Sequence, residues 1–543
     1  MASSPVSPES HLIGNLSVAT SDVYYATHGG LFKPNYHELL IDLHFLRGKD
    51  VMLPRSYQTS ILTPFINFLE NNEGLFNKLF HESEEKLNLK EGYLKRGLRE
   101  VAEGLLQRNH ELKYYRSAFR DLNALQAVVT TIFQDVWASD ISPRTSKVLP
   151  PLAKWGYKSP HAFPPFSFPF TEMKIPVGIV NFPAEYRKGG LLAWVSLGHE
   201  VAGHHFLRYI DGLVSDLRSV VADAFKNKEK DPLVKDLGDY WCACVEETVC
   251  DVLGVLNTGP SFGIGLLGYL RAVRGGQLKS SGTKFSTEKG SSMNSLLLHS
   301  KKTNQIFVKT LSDSVILEGT EGLFGYLGPE NSHPLKYQKY KSSDKHPVDI
   351  LRFFVITSVI SILDSSSCWI KLIEDEVSKD LGIKNQITLM QLNEKSHPIV
   401  INSIDIPIEV AKRSVQVVVE ALMSSPLKHL EGKKLTDIFS WTEKDEILVE
   451  KIKEIINDPK FEKLPDLAST KSIARHVIAA SVLSSVQQRD EVEGTNPIHA
   501  VETIFHNMKT SLVDIFERDP TWHQNQHMRT VYHPPSEIED DDE

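Results

Sequence analysis

The sequence predicts a mainly α-helical (α+β) fold that is helical at both ends, with a small sheet between them. Leucine, phenylalanine and valine recur at three- and four-residue spacing, with charged residues between them, over residues 36–140 and about 380–530. The β-branched run Lys174–Phe182 is bounded by prolines and long enough for one strand, and a short strand is also predicted near Pro398–Ile408. A chain of 543 residues, 41% hydrophobic and 24% charged, has the composition of a soluble globular protein of several domains.

The middle of the chain alternates between helical and irregular segments. Prolines interrupt the helical pattern over residues 142–169, which predicts a linker or an extended segment. One helix is predicted after Gly189–Gly190 and a second over Asp239–Leu256. Residues 275–305 are rich in glycine, serine and lysine and predict an exposed loop, and the apolar helical pattern returns from Pro347 to about Ile373.

Charge, cysteine content and hydropathy exclude several classes of protein. The net charge of −9, without a concentrated basic stripe, argues against nucleic-acid binding. Four cysteines do not make a disulfide framework and are predicted to be reduced thiols. Met1–Ser21 lacks the features of a signal peptide, and no apolar run reaches the roughly 20 residues of a membrane span. Val249–Leu270 contains charged and polar residues and predicts a buried helix followed by a Gly-rich turn. We therefore expect a cytoplasmic protein without a membrane span.

The segment His199–His205, HEVAGHH, is the most informative part of the sequence. Two histidines four residues apart lie on one face of a helix and bind Zn²⁺, while a glutamate after the first histidine acts as general base. Here the second histidine comes five or six residues later, and five residues of a regular helix turn it about 140° away. One extra residue absorbed as a π-bulge, for which Gly203 is suited, returns His204 to the face of His199. The adjacent His205 would need two inserted residues, so His204 is the predicted ligand.

HEVAGH resembles the HExxGH motif of the dipeptidyl-peptidase III family of zinc peptidases, in which the spacing is also widened by one residue. In that family a downstream EExxxE-type helix supplies the third metal ligand. Glu246–Asp251, EETVCD, is similar to this segment, with aspartate in place of the final glutamate. The resemblance implies that Glu247 is the third ligand, with Glu246 as the first alternative.

The E-x-x-x-D form of Glu247 and Asp251 also resembles the CAAX prenyl peptidases, gluzincins that carry a later His-Pro and arginine element. Ser343–Arg352 is similar to that element, so the resemblance adds His346 and Arg352 as candidate catalytic residues. Together these motifs imply a zincin-like catalytic core with a small sheet and active-site helices. The predicted division of the chain is a flexible tail (1–21), a helical N-terminal region (22–165), the metallopeptidase core (166–373), a helical C-terminal region (374–534) and an acidic tail (535–543).

The residues around the two glutamates support a site at this helix. Glu246 and Glu247 lie between the apolar segments Trp241–Val245 and Val249–Leu256, so one of them is predicted to point into an apolar layer. A buried carboxylate needs a partner, and a metal is a suitable one. Asp251, one turn after Glu247, is predicted to accept a hydrogen bond from an imidazole N–H and so to fix the tautomer of a metal ligand. The predicted orienting residues are Asp251, Glu246 and His205.

These residues predict a zinc metallopeptidase with one Zn²⁺ per chain and a peptide or protein substrate. Zinc lowers the pKa of a bound water towards about 7, and Glu200 then takes its proton and passes it to the leaving amine. Pro176–Phe182 is predicted as an edge strand that could pair with an extended peptide. Two alternatives stay open: a non-haem iron enzyme with two histidines and one carboxylate as ligands, and a helical scaffold with an inactive zincin core.

Overall fold

The structure is a computed structural model that describes residues 35–48, 53–81, 87–109, 119–137, 149–156, 159–165, 167–280, 347, 349–381, 386–392, 400–458, 460–464, 473–487, 497–519 and 522. Helices dominate these residues and accompany a three-stranded and a two-stranded sheet, which confirms the prediction of a mainly α (α+β) fold. No helix within these ranges is both long and apolar enough to cross a lipid bilayer.

The N-terminal helices pack around an apolar core that they share with residues of the three-stranded sheet and the segment before its central strand. They are α1 Tyr36–Phe45, α2 Arg55–Tyr57, π1 Gln58–Leu62, α3 Thr63–Asn71, α4 Glu73–His81 and α5 Leu89–Leu106. The side chain of Asn88 caps the first turn of α5, which explains why this helix begins where it does. Along one face, α5 buries Leu94, Leu98, Val101 and Leu105 against the other helices, as its three- and four-residue apolar spacing predicts.

The three-stranded sheet has the order β1–β3–β2. β1 Leu152–Gly156 is parallel to β3 Ile179–Pro183, and β2 His161–Phe163 is antiparallel to it. The strand predicted in Lys174–Phe182 is present as β3. However, its interpretation as an edge strand is wrong, because β3 pairs with a neighbour on both sides. The proline-rich segment 142–169 contributes β1 and β2, since its prolines flank these strands and do not interrupt them.

The helix α6 Phe119–Trp137 precedes the sheet, and the elements that carry the histidine and glutamate motifs follow it. They are the 3₁₀ turns Ala184–Arg187 and Leu191–Val195, π2 Gly198–His205, α7 Phe206–Tyr209, α8 Leu213–Asp223, π3 Ala224–Lys228, α9 Pro232–Lys235, α10 Gly238–Ala243, α11 Val245–Thr258 and α12 Pro260–Ser280. The prediction of a Gly-rich turn after α11 is wrong, because α12 continues through those glycines. A Cβ on Gly263 would come within 2.8 Å of Ile356 and Ile373, so this glycine allows close helix packing. The loop predicted over 275–305 is helical to Ser280, and its remainder lies outside the described residues.

The C-terminal part of the chain adds helices and a hairpin. Its elements are α13 Asp349–Leu363, α14 Cys368–Leu381, β4 Gln386–Leu392, β5 Val400–Pro407, α15 Ile408–Ser424, the 3₁₀ turn Lys428–Leu430, α16 Leu435–Ile438, α17 Glu443–Ile456, α18 Ile473–Gln487 and α19 Pro497–Arg518. The strand predicted near Pro398–Ile408 is present as β5, which pairs antiparallel with β4. One continuous apolar core extends from Leu122 in α6 to Val513 in α19 and includes residues of π2 and α11. The C-terminal helices therefore share a core with the motif helices.

Candidate metal centre

The histidine motif lies on a π-helix. Gly198–His205 forms π2, whose i→i+5 hydrogen bonding is the widening that the five-residue histidine spacing requires. As a result the rings of His199 and His204 face the same side, with their centroids 5.1 Å apart. The π-bulge expected from the sequence is therefore present, and it selects His204, not His205, as the neighbour of His199.

The sequence predicts that Gly203 absorbs the π-bulge through its backbone freedom, but the structure gives it a role in helix packing. It is not among the glycines with a positive φ, so the bulge does not depend on its backbone freedom. A Cβ at this position would lie 2.6 Å from both Cβ and Sγ of Cys250 and 2.9 Å from its Cα. Gly203 lies where π2 and α11 approach each other too closely for a side chain at this position.

The helix α11 is buried along its whole length and carries four functional side chains towards π2. Glu246 and Cys250 are one turn apart, as are Glu247 and Asp251, so the four side chains lie on neighbouring rows of one helix surface. The Glu247 Oε2 atom is 3.2 Å from His199 Nε2 and 3.4 Å from His204 Nε2. Two imidazoles from π2 thus lie beside one carboxylate oxygen from α11.

Two of the spacings among these donor atoms are compatible with a zinc ion. Zinc binds imidazole nitrogen and carboxylate oxygen at about 2.0–2.2 Å with tetrahedral angles, which places neighbouring donors about 3.3 Å apart. The two distances from Glu247 Oε2, 3.2 and 3.4 Å, match that value. His199 and Glu247 are buried, and the His204 side chain is 18% exposed, so solvent reaches the centre from the His204 side.

His199 is oriented by a buried aspartate–arginine pair. Its Nδ1 lies 2.9 Å from Asp251 Oδ1, which leaves Nε2 directed at Glu247. Arg352 donates to both oxygens of Asp251, from Nε at 2.8 Å and from a terminal nitrogen at 2.8 Å. Burial alone would raise the pKa of Asp251, but the Arg352 guanidinium, together with the hydrogen bond from His199, lowers this pKa to about 2. Asp251 is therefore a carboxylate at any ordinary pH, and Arg352 acts on His199 through it.

A second carboxylate–arginine pair, Glu246 and Arg208, lies behind His204 and nearer to the surface. Glu246 Oε1 is 3.6 Å from His204 Nδ1. Arg208, on α7, donates to Glu246 from Nε at 3.0 Å and from a terminal nitrogen at 2.7 Å. The Arg208 side chain is 43% exposed, whereas Arg352 is buried. Both histidines thus have at Nδ1 a carboxylate that is held by an arginine. The contact at His204 is longer, 3.6 Å against 2.9 Å at His199, and its arginine is more exposed.

Cys250 is a site residue that the sequence reasoning missed. It is fully buried and shares a hydrogen bond with His204. Its sulfur atom and one ring nitrogen each of His199 and His204 lie within 4.8 Å of one another. Burial raises the pKa of its thiol to about 12, and the nearby His204 only partly opposes that effect. Its position three residues after Glu247 was the available signal, because residues three apart share a helix face.

The remaining candidate residues lie around this centre or outside the described part of the chain. Glu200 is buried on π2 next to His199. The ring of His205 packs against the backbone just before β3, so closely that a Cβ on Gly178 would be 2.2 Å from it. Burial first, and then the charge of His204, lower the pKa of His205 to about 3, so it is a neutral packing residue. His346 lies outside the described residues, and nothing places it relative to the metal centre.

Comparison of the chain with protein-family models, with curated proteins and with solved structures gives no match.

Proposed function

We propose that this chain is a zinc-dependent metallopeptidase that hydrolyses a peptide bond of a peptide or protein substrate. His199, His204 and Glu247 would hold one zinc ion per chain. The observation that carries this proposal is the pair of distances from one carboxylate oxygen of Glu247 to two imidazole nitrogens, 3.2 and 3.4 Å. These distances match the spacing of donors around tetrahedral zinc.

Each residue of the centre has a role in this chemistry. A bound zinc ion would supply Lewis acidity, which activates water and polarises the scissile carbonyl. Glu200 follows the first histidine ligand and is the general base, which takes the proton of the attacking water and passes it to the leaving amine. Asp251 holds the N–H of His199 Nδ1 so that Nε2 is free to bind metal, and Arg352 keeps Asp251 in place.

The same donor set would also suit a non-haem iron enzyme, which needs two histidines and one carboxylate. Such an iron site gives no role to a glutamate directly after the first histidine. The buried Glu200 in this position therefore favours the hydrolase over the oxygenase.

The experiment compares metal content and peptide hydrolysis in the purified full-length chain. The parent is expected to hold about one zinc per chain and to cleave a peptide library, and a chelator should abolish cleavage until zinc is restored. Glu200→Gln should keep its zinc and lose hydrolysis, because the amide has nearly the same shape but cannot accept the proton. Glu454→Gln, at an exposed position on α17, is the matched control and should cleave like the parent. Iron in place of zinc, or undiminished cleavage by Glu200→Gln, would contradict the proposal.

A further inference from the structure

Four potential metal donors lie near the contact between two packed helices, two from each helix, and three of them, His199, His204 and Cys250, could hold one metal ion. π2 supplies His199 and His204, and α11 supplies Glu247 and, one turn later on the same face, Cys250. Donor atoms of His199, His204 and Cys250 lie within 4.8 Å of one another, and Glu247 Oε2 is within 3.4 Å of both imidazoles. Three donors are enough for a zinc site that keeps a position for water, so the fourth needs an explanation.

The contact between the two helices brings the sulfur to this position. At Gly203 the two helices approach so closely that any Cβ would collide with the Cys250 side chain. The side chain of Cys250 is enclosed there, without solvent contact, and is hydrogen-bonded to His204. A thiol held against a predicted zinc ligand in a closed space has the chemistry of a zinc donor, because zinc prefers thiolate and imidazole ligands.

We propose that Cys250 is a fourth protein donor to the zinc ion and holds the coordination position that a water must occupy for hydrolysis. This inference rests on the proposed function and adds its regulation. When Cys250 binds, its S–H bond breaks, a metal–sulfur bond forms, and the proton passes by way of Glu246, which faces the partly exposed His204, to solvent. When it leaves, the thiol is re-formed and the position opens to water. The form with four protein donors is closed and resting, and the form with three is active.

The test replaces zinc with Co²⁺, whose thiolate complexes have an intense sulfur-to-metal charge-transfer band in the near ultraviolet. The full-length parent loaded with Co²⁺ is expected to show this band, and Cys250→Ala is expected to lose it. Cys242→Ala is the matched control, because Cys242 is a half-buried thiol on α10 whose sulfur contacts the Arg218 carbonyl oxygen. It should keep the band. Absence of the band in the parent, or its persistence in Cys250→Ala, would overturn the proposal.

Turnover provides the second readout. If the closed form predominates in the resting protein, removing the thiolate raises turnover per bound zinc by the inverse of the open fraction, while zinc affinity falls. Unchanged or lower turnover per bound zinc in Cys250→Ala would overturn the closed resting form. Cys250→Ser keeps the size of the side chain and its hydrogen bond to His204. Cys250→Ser replaces Cys250→Ala in both measurements if the alanine variant does not fold. It should also lose the sulfur-to-metal charge-transfer band.

The two proposals fail in different ways. A charge-transfer band that depends on Cys250, with no peptide cleavage by either the parent or zinc-loaded Cys250→Ala, would keep the fourth donor and refute the peptidase. Cleavage that depends on Glu200, in a protein without the band, would keep the peptidase and refute the fourth donor. The spectrum requires no activity, so each result is assigned to one proposal.

Discussion

Replacing Arg352 with methionine removes the cation that neutralises a buried carboxylate. Arg352 and Asp251 are joined by two hydrogen bonds of 2.8 Å, and neither side chain has appreciable contact with solvent. Removing one partner of a buried ion pair destabilises a protein by about 3–5 kcal/mol, because the other charge stays buried. Arg352→Met should therefore lower the free energy of unfolding by that amount and weaken metal binding through His199.

The pH dependence of this effect follows from the pKa of Asp251. Folding lowers this pKa from 3.8 to about 2, which corresponds to about 2 kcal/mol of stabilisation. Because the folded-state pKa lies below the unfolded one, the stabilisation is complete above about pH 4 and is lost as the pH falls towards 2. The difference in unfolding free energy between parent and Arg352→Met should shrink over the same interval.

Urea unfolding of the metal-free proteins measures this effect, and a double-mutant cycle assigns it to the pair. Asp251→Asn removes the buried charge, so Arg352→Met/Asp251→Asn should be more stable than Arg352→Met alone. Arg208→Met is the matched control. Its partner Glu246 is held in the same way, but Arg208 is 43% exposed, so the loss should be about 1 kcal/mol or less. Additive effects of the two substitutions in the cycle would refute the coupling between Arg352 and Asp251.

Three further predictions concern the π-helix. His204→Ala should lose bound zinc and His205→Ala should keep most of it, and zinc analysis giving the reverse would exchange the ligand assignment. Gly203→Ala should cost about 1–3 kcal/mol of unfolding free energy and weaken zinc binding, because the new Cβ meets the backbone of α11 at 2.9 Å. Gly92→Ala, on α5 with nothing within 4 Å of its Cβ, is the control and should be neutral or stabilising; equal losses in both would show that helix contact is not the cause. Stability should fall as the pH drops from about 6.5 towards 3, because folding depresses the pKa of His205 and the unfolded chain takes up the proton first. His205→Gln should flatten this slope, and an unchanged slope would exclude His205 as its source.

The parts of the site that depend on local geometry could be predicted from the sequence. A five-residue spacing between histidines requires a wider helical turn if both are to face one metal, and π2 provides it. The position of Asp251 behind His199 follows in the same way from its place one turn after Glu247. The first deduction uses only the periodicity of a single helix, whereas the second also uses the family resemblance, which implies that Glu246–Asp251 packs against the histidine helix.

The parts that depend on contacts between distant segments could not be predicted. β3 lies at the centre of its sheet because β1 and β2 pair with it, and its own residues do not show whether one neighbour is present or two. Cys250 belongs to the site because π2 and α11 meet at Gly203, a contact between segments more than forty residues apart in the sequence. The sequence predicts that Gly203 supplies backbone flexibility. In the structure its function is to lack a Cβ, because a Cβ there would collide with Cys250.

The two carboxylate–arginine pairs make the centre asymmetric. His199 is held by Asp251 and Arg352, which are buried, so its Nε2 has one position relative to Glu247. His204 faces Glu246 at 3.6 Å, and the arginine behind Glu246 is 43% exposed. Weak and exposed hydrogen bonds open more easily than buried ones. We therefore expect a substrate or salt that competes for Arg208 to loosen His204 without disturbing His199. His204 is also the imidazole to which the thiol of Cys250 is hydrogen-bonded. The half of the centre with the longer and more exposed contacts is thus the half that reaches the surface.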